Sequence, residues 1–409
     1  MSGSTTNNAR GSTPNSGGTA GQQAAAQNRA ARAAILAVSE NMVQPIFTQT
    51  IATPGAVNNV ITLQPRMVGL LKRFWVEIVA TIVNNDPTND ITLTPYGPAN
   101  LLSSPQGCLF TDLSNNNRVQ AAGWHLHTIA SAKRNQVYGS ALYNDSPIQM
   151  QSQQPIIAAP MSIAHGGGSG VVKMLYEVPI TYNDTDFRGC IYLGVTGSTP
   201  QLQLTVNPTP VQPSFGQSGD PSLAVYQGST PNLAAISTMT VTVYQNYLDR
   251  LPSAAGRGVT LPINDLSTVY LLNTITLPKG GIVQGQDYPI PYAPFRDFLS
   301  TAVMFDNGGQ LNPGNDVQYW AIQLANYINP IKVDPGLLAL WTRTAIRDDM
   351  PNGVAYFSHR HKPISTLQYG NQELILNANQ VNANALLNVG YEMFALVSLI
   401  AQASALSIA

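Results

Sequence analysis

Four of the five histidines in this 409-residue chain fall into two His-x-His pairs. His125 and His127 lie in "AAGWHLHTIASAKRN", and His359 and His361 lie in "YFSHRHKPIST". Imidazole is the commonest metal ligand, so two such pairs raise the prospect of two metal centres. A zinc site, however, takes three or four protein ligands. In the cupins, metal enzymes built on jelly rolls, the His-x-His motif is followed after a short spacer by a glutamate. Here the matching positions hold Ser131 and Ala132 after His127, and Ser365 and Thr366 after His361. With no carboxylate in either place, both pairs read as surface or interface histidines, and no metal or other cofactor is expected.

Whether each pair could converge on one ion depends on the element that carries it. In "GNDVQYWAIQLANYI", Val317, Trp320, Ala321, Leu324, Ala325 and Ile328 recur at helical spacing behind Asn315 or Asp316 as a cap. The stretches "YGPANLL" and "YAPFRDFL" share Tyr-x-Pro and then Leu, and their offset also carries Trp124 onto Trp320. A Pro-Ile pair in "EVPITYNDTD" and "HKPISTLQYG" repeats at a slightly shorter offset. Such repetition suggests two copies of one domain in tandem. If Trp124 and Trp320 are equivalent, "GWHLHTIASAK" is also a helix, and both indoles are expected to be buried. Residues two apart on a helix diverge by about 200°, so His125 and His127 would point apart. "VAYFSHRHKPI" reads as extended, which would put His359 and His361 on one face.

Other chemical motifs are incomplete. "GGGSGVVK" has the glycines of a phosphate loop but neither its Gly-Lys-Ser/Thr ending nor a following helix. Ser169 lacks the spacing of a nucleophile elbow. Asp184 and Asp186 in "YNDTDFRG" lack calcium-loop spacing and read as part of a turn. No acid, base and nucleophile come together, so no catalysis is expected.

The surrounding elements are mostly strands. In "RFWVEIVATIV", Phe74, Val76, Ile78, Ala80 and Ile82 share one face, which is the alternation of a half-buried strand. "QLQLTV" and "STMTVTVYQ" repeat it, and clusters such as "NNDPTND", "GGGSG" and "DNGG" separate the runs. With 29 prolines and 33 glycines, the pattern is that of a sandwich. Charged residues make up only 10% of the chain, and twenty basic side chains nearly cancel twenty-one acidic ones. That balance offers no electrostatic attraction to nucleic acid and favours self-association. Cys108 and Cys190 are the only cysteines. They read as free thiols of a protein folded in a reducing cytosol rather than as a secreted disulfide framework, although a single bridge stays open.

The ends differ from the middle. Residues 1–22 have almost nothing to bury and are expected to be a disordered arm. An Ala- and Gln-rich helix comes next, with Arg29 and Arg32 as one charged stripe suited to acidic lipid, a neighbouring subunit or plain solvent. The last residues, "YEMFALVSLIAQASALSIA", read as a final core strand and a tail against a subunit or lipid. They are too short and too polar for a clean membrane span.

"GWHLH", "YQNYLDRLP", "DLSTVYLL", "FDNGG", "KPISTLQYGN" and "VGYEMF" occur in this order across most of the chain. The set resembles the major capsid proteins of tectiviruses, tailless bacteriophages with an internal membrane. The resemblance implies an all-β double jelly roll, two eight-stranded sandwiches in tandem, with an N-terminal helix and a few short helices. The expected division is an arm over 1–22, helix and lead-in over 23–45, a first jelly roll over 46–246, a linker over 247–258, a second jelly roll over 259–396 and a tail over 397–409. It further implies pseudo-hexagonal homotrimers tiling an icosahedral shell around a membrane, with vertex (penton) and minor capsid proteins as partners. The protein would be made in the host cytoplasm, reside in the virion's outer shell and contact no specific nucleic-acid sequence. Arg29 and Arg32 would be membrane-facing. A bicupin-like metalloenzyme and a carbohydrate-binding sandwich are the competing readings; the missing cupin glutamate weighs against the first, and the placement of Tyr and Trp within periodic runs against the second.

Overall fold

The computed structural model describes residues 33, 35–52, 60–94, 97–134, 157–182, 187–194, 199–207, 210–212, 224–230, 233–250, 271–308, 313–324, 328–346, 354–359, 363–366 and 372–395. Arg29, Arg32, Asp184, Asp186, His361, residues 251–258 of the junction and the C-terminal tail lie outside the described residues.

Sixteen of the strands carry the architecture. The first eight are β1 (Glu40–Ala52), β2 (Val60–Leu63), β3 (Leu70–Asn84), β4 (Cys108–Thr111), β5 (Asn117–Ala121), β6 (Gly168–Pro179), β7 (Gln201–Thr205) and β8 (Ala234–Asp249). The next eight are β9 (Leu271–Lys279), β10 (Asp287–Pro291), β11 (Arg296–Asp306), β12 (Val317–Leu324), β13 (Ile328–Val333), β14 (Val354–Ser358), β15 (Glu373–Ala378) and β16 (Leu386–Ala395). The first set forms sheets in the order β1-β8-β3-β6 and β2-β7-β4-β5. The second set forms β9-β16-β11-β14 and β10-β15-β12-β13, so adding eight to every label of the first set reproduces the second. Each order is that of a jelly roll, and the fold is a double jelly roll.

The alternation in β3 does what the sequence predicts. Phe74, Val76, Ile78, Ala80 and Ile82 are fully buried in the first core, while Trp75, Glu77, Val79, Thr81 and Val83 are half-buried on the other face. Across the ladder, Val76 faces Val243 and Ile78 faces Val241, so the buried faces of β3 and β8 coincide. The second core gathers Val303, Phe305, Trp320, Leu374, Leu376, Val389 and Tyr391. Tyr292, Phe298 and Tyr391 pack edge-on there, with centroids 4.6, 5.7 and 5.3 Å apart.

Two helices carry or border the residues singled out by type: α1 (Gly123–Arg134) and α2 (Pro335–Ile346). Each falls between the fifth and sixth strands of its jelly roll. Trp124 opens α1 and is fully buried, but Trp320 lies in strand β12, not in a helix. Bulges between Val317 and Tyr319 and between Ile322 and Leu324 break the two-residue period, leaving apolar residues at spacings that imitate a helix. The counterpart of β12 is β4, so the Trp124–Trp320 equivalence is wrong although the duplication is real. The Pro-Ile pairs do correspond: Pro179 ends β6 and Pro363 comes after β14, the two sixth strands.

Other details also differ from the sequence reading. β1 begins at Glu40, within the stretch expected to be lead-in, and β8 continues to Asp249, into the expected linker. Both extensions occur together because Glu40 pairs with Asp249 in one ladder. The glycines of "GGGSGVVK" make a turn that feeds strand β6, where Ser169 sits opposite Val83.

Candidate functional site

The chemistry-bearing residues collect where the two jelly rolls meet. β5, the edge of one first-roll sheet, pairs in parallel with β9, the edge of a second-roll sheet, through Val119–Thr274 and Gln120–Ile275. One continuous sheet, β2-β7-β4-β5-β9-β16-β11-β14, therefore crosses both rolls. Arg118 pins this junction while almost wholly buried. Its Nη1 pairs with Asp112 at 3.3 Å, Nε donates to the Leu272 carbonyl at 3.2 Å and Nη2 donates to the Gly189 carbonyl at 2.8 Å. A buried guanidinium is tolerated when its donors are satisfied in this way.

α1 lies over the outer face of the second roll's sheet. Gly123 is required at its start because a Cβ there would drive into the Ala99 carbonyl oxygen. The Thr276 hydroxyl, from β9, accepts the Ala122 N–H at 3.0 Å and lies 3.0 Å from His125 Nδ1. One hydroxyl thus ties both the start of α1 and the His125 ring to the second roll. Lys133 near the end of α1 forms an ion pair with the buried Glu392 of β16. Beside it, Arg188 stacks over Phe394 at 4.5 Å and over Tyr182 at 5.5 Å, a cation–π contact across the same seam. Ala302, Met304, Val354 and Tyr356, on the outward face of β11 and β14, join the first roll's core rather than their own.

The histidines thus have structural positions. His125 and His127 are buried on α1, and His359 is buried just past the end of β14, with Nε2 3.4 Å from Thr301 Oγ1. Burial alone pushes their pKa values down, to about 3 for His125 and about 4 for His127 and His359. The neutral imidazoles serve as packing and hydrogen-bonding groups. Among the described residues no three His, Cys, Asp or Glu side chains gather as a metal site. Cys108 and Cys190 are both buried thiols outside any disulfide, and desolvation raises the Cys108 thiol far above its usual range. Among the described residues no helix is long and apolar enough to cross a membrane.

Away from the seam, Asp86 organises a loop of the first roll. Its carboxylate accepts the backbone N–H groups of Thr230 at 2.7 Å, Thr88 at 2.9 Å and Asn89 at 2.9 Å. The donors, Thr230 first, hold its carboxyl well below the usual range.

A double jelly roll welded into one block, with no metal-binding cluster among the described residues, suits a building unit, and comparison with known proteins agrees. The model of the P3 major capsid protein N-terminal domain matches residues 15–251, and that of the C-terminal domain matches residues 267–408. The chain belongs to the P3 major capsid protein family. It is 38% identical over 374 residues to major capsid protein P3 of Enterobacteria phage PRD1, covering 91% of this chain and 92% of that relative. A P3-type chain is a structural component of the virion capsid, not an enzyme, so the metalloenzyme and carbohydrate-binding readings fall away.

The solved structure of Sulfolobus Turreted Icosahedral Virus aligns with a TM-score of 0.61 at 12% identity, over 87% of this chain and 91% of that one. The PBCV-1 virus capsid aligns with a TM-score of 0.53 at 12% identity, over 87% and 94%. At such identities these two likenesses carry the fold alone.

Sequence reading missed α2 of this P3-type chain. The signal was present: Asp334 caps the helix, its Oδ1 accepting the Leu337 N–H at 2.9 Å, and Pro335 fills the first helical position. The seam residues Arg118, Thr276 and Glu392 were also unmarked, because nothing local in their neighbourhoods announces a partner more than a hundred residues away.

Proposed function

We propose that three copies of the chain form a pseudo-hexagonal homotrimer that tiles an icosahedral shell over an internal membrane. The observation carrying this reading is the repeated strand order joined by the β5–β9 pair. One chain then supplies two similar blocks in fixed relation, and three chains supply six. Low charge supports close packing of identical surfaces. The strands β1 to β8 serve as one block and β9 to β16 as the other, joined through the residues between Asp249 and Leu271. Arg29 and Arg32 face the membrane, and vertex and minor capsid proteins complete the shell. Buried free thiols fit synthesis in the host cytoplasm.

The test is sedimentation of the full chain at micromolar concentration and moderate salt, followed by electron microscopy of the same sample. The expected result is a trimer with a hexagonal outline that persists as salt rises, because few ion pairs are available to screen. A stable monomer under all these conditions would overturn the trimer.

A further inference from the structure

The layer between α1 and the second roll is patterned by strand register. Across β9, β16 and β11, Thr274, Glu392 and Ser300 form one row, and Thr276, Gly390 and Ala302 form the next. A third row holds Pro278, Asn388 and Met304. His125 of α1 sits over the middle row, with Nδ1 3.0 Å from the Thr276 hydroxyl and its ring against Gly390.

This layer is poorly hydrogen-bonded. His125 Nε2, Thr274 Oγ1 and both polar side-chain atoms of Asn388 are buried without a hydrogen-bond partner. Each carries a desolvation cost that water would relieve if the layer opened. The ring adds a further cost, because an imidazolium must donate from both nitrogens. At Nδ1 stands the Thr276 oxygen, which already accepts the Ala122 N–H, and Nε2 has no acceptor.

The surrounding charges do not compensate for a proton on His125. β16 brings one carboxylate to this face, Glu392, and Lys133 of α1 is paired with it. Asp306 lies on β11 two rows beyond Ala302, and Asp112 is paired with Arg118. Arg188 adds a cation over Phe394. On the first-roll side the titratable neighbours are the buried His127 of α1 and Tyr176 of β6, and the sequence of α2 holds no Asp or Glu. Burial pushes the His125 pKa down to about 3.

We infer that the seam is an acid-sensitive joint: protonation of His125 parts α1 from the β9-β16-β11 face while each jelly roll stays folded. At neutral pH the apolar contacts of Ala302 and Met304 with the first core keep the joint shut. Once wetted, the ring returns toward its ordinary pKa of about 6.5. Opening then takes up one proton, so the open population grows about tenfold for each pH unit below that value.

The test is hydrogen exchange of the full chain between pH 7 and 4.5, corrected for the pH dependence of exchange in unstructured peptides. The Ala122 N–H reaches across the seam to Thr276, so its exchange, read by fragmentation mass spectrometry, reports opening. Its protection should fall about tenfold per pH unit, while amides of β3 in the first core and β15 in the second keep theirs. In His125→Asn the altered packing acts alike at every pH, so the slope alone is diagnostic, and it should vanish. His359→Asn, in the second roll, should retain the slope. Protection at Ala122 that ignores pH would overturn the inference, as would a slope that survives in His125→Asn. Simultaneous loss in the seam and both cores would signal global unfolding and overturn it equally.

Discussion

The imidazole of His125, in the first jelly roll, occupies the space above Gly390, in the second. Its Nε2 and Cγ stand 2.5 and 2.6 Å from where a Cβ at residue 390 would be. The ring is fully buried and held by Thr276 at Nδ1. Gly390→Ala should therefore destabilise the protein by about 1–3 kcal/mol through overpacking. Adding His125→Ala should recover part of that loss. Urea unfolding of both single variants and the double variant measures the coupling; purely additive losses would mean that the two residues do not compete for this space.

Trp124 and Trp320 are buried in different cores. Replacing either with Ala should cost roughly 3–5 kcal/mol, since each leaves a large cavity. The double variant should lose nearly the sum, because the sites share no partners. Chemical denaturation monitored by far-ultraviolet circular dichroism reads both quantities.

Stability should fall on mild acidification. His125, His127 and His359 titrate below their unfolded value of about 6.5. A histidine with a lowered folded pKa takes up its proton first in the unfolded chain. Its contribution is complete above pH 6.5 and is lost as pH drops toward 4. Within that window each should contribute a slope of roughly 1.4 kcal/mol per pH unit. Asp86 is held low, so its contribution is lost only below the ordinary carboxylate range of about 4. Urea midpoints between pH 7 and 5 provide the measurement, and His125→Asn should remove about a third of the slope.

Arg29→Glu combined with Arg32→Glu should leave the trimer folded and lower the yield of membrane-filled particles. Each arginine gains about 1 kcal/mol beside anionic headgroups, and many copies on one vesicle multiply the effect. Comparing trimer yield with lipid-containing particle yield separates folding from membrane attachment. Unchanged particles would show that the membrane is held elsewhere.

The legible part of the sequence is set by the range of the forces involved. β3, β7 and β8 were readable because one buried face leaves a two-residue period in a short window. The family blocks located the fold across most of the chain. β12 was misread because its bulges shift register, a property of its ladders with β13 and β15. The helix over Trp124 was anticipated correctly on a faulty equivalence. The seam stayed hidden because Arg118, His125 and Lys133 acquire their meaning from Leu272, Thr276 and Glu392, which no local pattern connects to them.

The pairing of Glu40 with Asp249 also sets an order of events during synthesis. β1 emerges from the ribosome with no neighbour, and its partner strand arrives some two hundred residues later, so its edge stays open for most of translation. Contacts this distant make folding slow and leave strands vulnerable to wrong partners. β9 meets the opposite situation: when it emerges, β5 belongs to a roll whose strands have all been made. The first jelly roll can thus serve as a template for the second, and a nascent chain whose residues up to Asp249 have left the ribosome should carry one finished sandwich with an adhesive edge.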